Sequence, residues 1–246
     1  MRRKRFRVAV AIAVAMTSWL VVGISPAGAA NTPSQSQAGY VGSAQTPFTT
    51  GSARITVPTV TCPATGTYSG AITVQWNGDG AGGAGLAQLS ISISCTEGTL
   101  VMTGGIAESD PTGTGFRRLS VSPGDVLQGS LTYTPASGLI RVSGKNITTG
   151  QVVSETGKWK GLSWDSAGYE LIRYGIPGSS GPQEVFEFTP VVFSSLTLDG
   201  VAAKSKLDGN FVGYDLYNSA NTHKLAVANP FNLAGNTFRV RFLAAS

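Results

Sequence analysis

Hydrophobic and polar positions alternate with period two along most of this chain. The clearest stretch runs from Ala87 to Cys95, where Leu89, Ile91 and Ile93 alternate with Gln88, Ser90, Ser92 and Ser94. Side chains alternate across a strand, so one face is aliphatic and the other carries small polar groups and one amide, Gln88. That pattern predicts a half-buried antiparallel strand with its polar face outward. Ala53 to Val57 stops at Pro58, and Ala71 to Trp76 alternates up to the turn signal Asn77-Gly78-Asp79-Gly80. Further strands are predicted at Val126 to Tyr133, at Leu139 to Val142 paired with Gln151 to Val153, and at Tyr169 to Tyr174. Val185 to Leu198, Leu207 to Leu216 and Thr237 to Phe242 complete the set. Beyond the N-terminal thirty residues, no stretch of a dozen shows a 3.6-residue apolar period. Many antiparallel strands without helices predict an all-β fold, an antiparallel β-sandwich of two packed sheets, with residues 39–246 as a single domain.

The first thirty residues read differently. Arg2, Arg3, Lys4, Arg5 and Arg7 form a positive segment, Val8 to Ile24 is an apolar run, and Ala27-Gly28-Ala29 supplies small residues. This predicts a signal peptide over residues 1–30, cleaved near Ala29 or Ala30, and hence a secreted protein with no membrane span after its removal. Residues 31–38 are polar and predict a flexible lead-in.

Removing the signal changes the charge argument. Its five cations leave 13 Lys and Arg against 13 Asp and Glu, so the mature chain is near neutral. The basic character of the whole chain belongs to the signal, which argues against nucleic acid as a partner. Cys62 and Cys95 are the two cysteines, and in an oxidising compartment they most simply form one disulfide. With His223 as the one histidine, neither a metal site nor a Ser-His-Asp triad is expected, and no cofactor is implied. The glycine-rich run from Gly78 to Gly85 lacks the Lys-Ser/Thr and helix of a phosphate loop.

Several segments in order resemble the glutamic peptidases (eqolisins), secreted β-sandwich acid endopeptidases. Gly39-Tyr40-Val41 and Ile55-Thr56-Val57-Pro58-Thr59 resemble the family's opening. Asp79-Gly80 ahead of Gln88 resembles the Asp-Gly that precedes its catalytic glutamine, and the step from Gln88 to Cys95 is similar to that of bacterial members. Pro123-Gly124-Asp125, Asn146-Ile147-Thr148-Thr149-Gly150-Gln151 and the Phe186, Phe188, Val192, Phe193 run also match. The resemblance implies that Gln88 stabilises an oxyanion while a glutamate activates water. It assigns Asp79, Glu108, Tyr174 and Trp76 to the cleft.

One departure bears on activity. The family's Ala-Glu-x-Ile-x-Glu reads Tyr169-Glu170-Leu171-Ile172-Arg173-Tyr174 here, so its first glutamate is kept as Glu170 and its second falls on Tyr174. With the second position taken as catalytic, Tyr174 is expected to stand nearer Gln88 than Glu170 does, with Glu108 at the rim of the same concavity. Tyrosine, with a pKa near 10, is a poor base. The expectation is therefore a glutamic-peptidase-like protein that binds an extended peptide or polysaccharide in a groove without the family's full catalytic pair. An active acid endopeptidase using Gln88 with Glu170 or Glu108 is the alternative, and a structural envelope protein the second. Asp79 with Glu108 could supply a replacement acid/base pair, the bland reading being solvated loop carboxylates. Trp159, Trp164, Tyr169 and Tyr174 crowd one stretch, either to stack on a ligand or to fill the core.

Overall fold

The alternating segments become strands of unusual length, because paired rungs on both sides let each strand bury one face continuously. The computed structural model describes residues 31–80, 83–110, 113–174, 185–207, 210–218 and 221–243. The predicted signal peptide lies outside these residues. In chain order the first strands are β1 (Thr32–Ser34), β2 (Gln37–Ser43), β3 (Thr50–Thr56), β4 (Val60–Thr61) and β5 (Thr67–Gly80). Next come β6 (Gly83–Thr96), β7 (Thr99–Asp110), β8 (Gly113–Leu119), β9 (Val126–Thr134), β10 (Leu139–Asn146) and β11 (Val152–Lys158). β12 (Ser163–Arg173), β13 (Glu187–Phe188), β14 (Val191–Leu198) and β15 (Val201–Ala202) follow. The helix α1 (Ala203–Lys206) is a single turn, after which β16 (Val212–Tyr217), β17 (Lys224–Ala228) and β18 (Phe238–Phe242) close the fold. The strand expected from Leu207 thus begins only at Val212.

One hydrogen-bonded ladder runs β11-β10-β9-β3-β14-β18-β17-β16-β2-β12-β5-β6-β7-β8 and folds back on itself, so that its two halves form the packed layers of an antiparallel β-sandwich. Close approaches mark the contact between layers. A Cβ on Gly129 of β9 would lie 2.9 Å from Cβ of Leu89 on β6, and one on Gly51 of β3 would meet the indole of Trp76 on β5. Leu89, Ile91 and Ile93 are fully buried between the layers, as the alternation predicts. Cys62 and Cys95 are bonded across 33 residues. In the loop-entropy account a bridge of that span contributes roughly 3–4 kcal/mol.

Residues 31–38 are not a loose lead-in. β1 adds to β16 in parallel, β2 pairs with β12 and β16, and Ala38 is fully buried. Asn31 fixes the start of this segment, donating from Nδ2 to Asp215 Oδ1 at 2.7 Å and to the Ala228 carbonyl at 2.7 Å. Polarity misleads here because the segment's stability comes from backbone pairing with a sheet edge and from one amide clamp.

The segments of closest family likeness form a structural clamp. Asn146 is buried, donates to Asp125 Oδ2 at 2.8 Å and to the Ser120 carbonyl at 3.0 Å, and accepts from the Thr148 and Thr149 amides. Gln151 Oε1 accepts from the Ser120 amide. The side chain of Asn146 thus folds the turn from 146 to 150 onto the Asp125 loop.

Candidate active site

The outer face of the β12-β5-β6-β7-β8 half carries the polar residues in straight rows. In one row Val41, Gly168, Gln75, Gln88, Ala107 and Phe116 stand opposite one another in successive strands. In the next row the order is Gly39, Glu170, Thr73, Ser90, Gly105 and Arg118. Residues directly opposite share a face, so Gln88, Gln75 and Glu170 all project on the same side. Small residues at Gly168, Gly105, Ala107 and Ser90 leave a shallow floor around them. The ring of Phe116 folds over Gly105, where a Cβ would meet it.

Glu170 lies flat on that floor. Its Oε1 accepts a 3.2 Å hydrogen bond from Gln75 Nε2, and the pair occupies the space above Gly168, where a Cβ would meet Glu170 Oε1 and lie 2.9 Å from Gln75 Nε2. The residue is only 2% exposed, and burial raises its carboxyl from 4.5 to about 7, against the opposing pull of the Gln75 hydrogen bond. Tyr214 of β16 stands in the same row through Gly39, and its hydroxyl is raised first by burial and then by the Glu170 charge.

The register reverses the expected order of Glu170 and Tyr174. Glu170 is two strands and two residues from Gln88, a Cα separation of about 12 Å, with Gln75 on the strand between. Tyr174, whose amide bonds the Ser69 carbonyl, lies four residues further along the chain and away from Gln88, about 22 Å from it by the same geometry. It is 44% exposed, and burial of part of its ring raises its hydroxyl pKa. Of the two positions in this segment, Glu170 is the one beside the glutamines.

The other candidate cleft residues separate. Glu108 stands opposite Ala87 in β6, is 3% exposed and packs beneath Gly157 of β11, between the layers and on the far side of the sheet from Gln88. Trp76 is fully buried on that inner face as well. Both were expected at the cleft, but each sits one residue out of phase with the outward glutamines, and a one-residue offset sends a side chain to the opposite face. Asp79 is exposed on the outer face, four residues beyond Gln75, so Asp79 and Glu108 do not form a pair. Asp79 instead stands near Asp165, whose carboxyl is raised by burial and further by Asp79. Trp159, Trp164 and Tyr169 fill the core.

Gln75 is the residue that motif reading passed over. The alternation from Ala71 to Trp76 already places it on the polar face; that it stands opposite Gln88 follows from the register of β5 on β6. Among the described residues no group of three His, Cys, Asp or Glu is arranged to hold a metal. The site offers a buried carboxyl raised toward neutrality and, two strands away on the same face, the Gln88 amide, groups of the kind an acid/base hydrolytic centre uses.

Fold and site together define a glutamic-peptidase-like β-sandwich. The profile of the Peptidase A4 family matches residues 35–229, and the chain belongs to that family. It resembles scytalido-glutamic peptidase, solved with a peptide-based transition-state analogue, at 19% identity and a TM-score of 0.56, over 85% of this chain and 100% of that one. It also resembles SCP-B, a member of the eqolisin family of peptidases, solved with the tripeptide Ala-Ile-His, at 18% identity and a TM-score of 0.53, over 85% and 100%. No curated protein matches the chain.

Proposed function

We propose that this protein is a secreted glutamic-type endopeptidase in which Glu170 activates water and Gln88 stabilises the oxyanion. The observation that carries this is the Gln75–Glu170 hydrogen bond, which holds a buried carboxyl on the same face as Gln88 and two strands from it, with Gln75 on the strand between. An extended substrate crosses the floor formed by Gly168, Ala107 and Gly105. Water attacks the scissile carbonyl carbon while the Glu170 carboxylate takes one of its protons. The carbonyl oxygen, now negative, receives the Gln88 amide N–H. Glu170 then returns the proton to the amide nitrogen as the C–N bond breaks, which regenerates the carboxylate. Tyr174 has no part in these steps.

Because the reaction begins from the carboxylate, its pH dependence follows Glu170. A fluorogenic peptide library incubated with the purified secreted protein from pH 3 to 9 should show kcat/KM rising with an apparent pKa near the value of about 7 of this carboxyl. Gln88→Ala should lower kcat by about 10²–10³-fold. Absence of turnover at every pH, or turnover indifferent to Glu170→Gln, would overturn the reading.

A second reading, retention of an extended peptide or polysaccharide without turnover, draws on the 2% exposure of Glu170. It predicts binding of such ligands that Gln88→Ala weakens, with no product formed.

A further inference from the structure

The row that carries Glu170 holds a second polar group that the steps above do not use. Thr73 stands directly opposite Glu170 on one side and Ser90 on the other, in the middle of the floor. It is 3% exposed, and among the described residues its Oγ1 has no hydrogen-bond partner. A buried hydroxyl without a partner costs free energy that a plain valine would not, since valine suits a strand equally well. Something other than packing therefore favours a hydroxyl at this point.

Its neighbours suggest what. Gln75 takes Oε1 of Glu170, and Oε2 belongs to a carboxyl whose residue stands directly opposite Thr73. Ser90, on the far side of Thr73, stands two residues along β6 from Gln88. A carboxyl and a hydroxyl able both to donate and to accept thus stand side by side in one row, with the Gln88 amide in the next row on the same face. That combination suits a single water, which seeks two to four polar partners.

Resting on the proposed hydrolysis, we infer that Thr73 seats the attacking water between its Oγ1 and Glu170 Oε2. Thr73 Oγ1 accepts one proton of the water in a hydrogen bond and Glu170 takes the other, so an oxygen lone pair is directed at the scissile carbon. β5 therefore equips the centre twice: Gln75 orients the carboxyl and Thr73 orients its water.

Thr73→Val separates this role from packing. It should lower kcat by about 10²-fold with KM little changed, while the melting temperature holds or rises, because the change removes an unpartnered buried hydroxyl. Thr73→Ser should restore kcat to within about threefold of wild type, since it keeps the hydroxyl. An unchanged kcat in Thr73→Val, or equal losses in both variants accompanied by lower melting temperatures, overturns the inference. A second measurement does not depend on turnover: a high-resolution crystal structure of the wild type should hold an ordered water within hydrogen-bonding distance of Thr73 Oγ1 and the Glu170 carboxyl, lost in Thr73→Val. If the wild type cleaves nothing, the hydrolytic reading fails by itself, and the presence or absence of that water still decides whether the seat exists.

Discussion

Gln75 and Glu170 are joined by a 3.2 Å hydrogen bond from Nε2 to Oε1, made across adjacent strands and over a glycine that leaves both side chains room to lie flat. The bond places a carboxyl in a region of little solvent and satisfies only one of its oxygens. A buried carboxyl with one amide partner favours its neutral form, so the geometry has consequences for both stability and chemistry.

The first concerns stability against pH. Folding raises the Glu170 carboxyl from 4.5 to about 7, so between those values the folded protein keeps a proton that the unfolded chain has lost. Stability from this group is full below pH 4.5, falls as pH rises, and is lost above about 7. At about 1.4 kcal/mol per pH unit the loss is on the order of 3 kcal/mol. Urea unfolding at pH 4.5 and pH 8 should show Glu170→Gln less sensitive to pH than wild type by about that amount. Parallel pH profiles for the two proteins would contradict the burial argument.

Gly168→Ala tests the platform on which the pair rests. A methyl group there meets Glu170 Oε1 and lies 2.9 Å from Gln75 Nε2, so one or both side chains must move off the floor. The fold should persist, because the substitution points away from the sandwich core. Peptide turnover should fall at least about tenfold, since displacement of a reacting group by an ångström is costly. Far-ultraviolet circular dichroism alongside the turnover assay separates the two effects; full activity in a folded Gly168→Ala protein would show that the pair tolerates displacement.

Tyr174→Glu restores the second glutamate of the family segment and should gain nothing. Position 174 is about 22 Å from Gln88, beyond the reach of any side chain. Turnover in Tyr174→Glu should equal that of wild type, and Glu170→Gln/Tyr174→Glu should be as inactive as Glu170→Gln. Recovery of activity in the double variant would reassign the base.

The core makes a separate prediction. Ile91 is fully buried in the middle of β6, between Ile72 on β5 and Gly104 on β7. Ile91→Ala should destabilise the protein by about 2–5 kcal/mol in denaturant titration, from lost burial and the cavity left behind. A cost below about 1 kcal/mol would mean that the layers close over the gap.

Much of this was legible in the chain alone, because it depends on local periodicity. Alternation at Leu89, Ile91 and Ile93 determined a strand with an aliphatic face and placed Gln88 on the other. The two cysteines determined the one disulfide available to them, and the order of turn signals determined an all-β chain. What local pattern cannot specify is which strand lies beside which, and at what register. That decided whether Glu170 or Tyr174 stands by Gln88, since four residues along a strand change nothing about the face and everything about the distance. It brought Gln75 opposite Gln88 and Thr73 opposite Glu170, pairings between segments about 13 to 97 residues apart in the chain. It also turned Glu108 inward, because the phase of β7 is set by which of its residues the opposing layer can cover. The hydrophobic pattern thus determines the faces; only the packed ladder, through strand order and register, determines which polar groups meet on them.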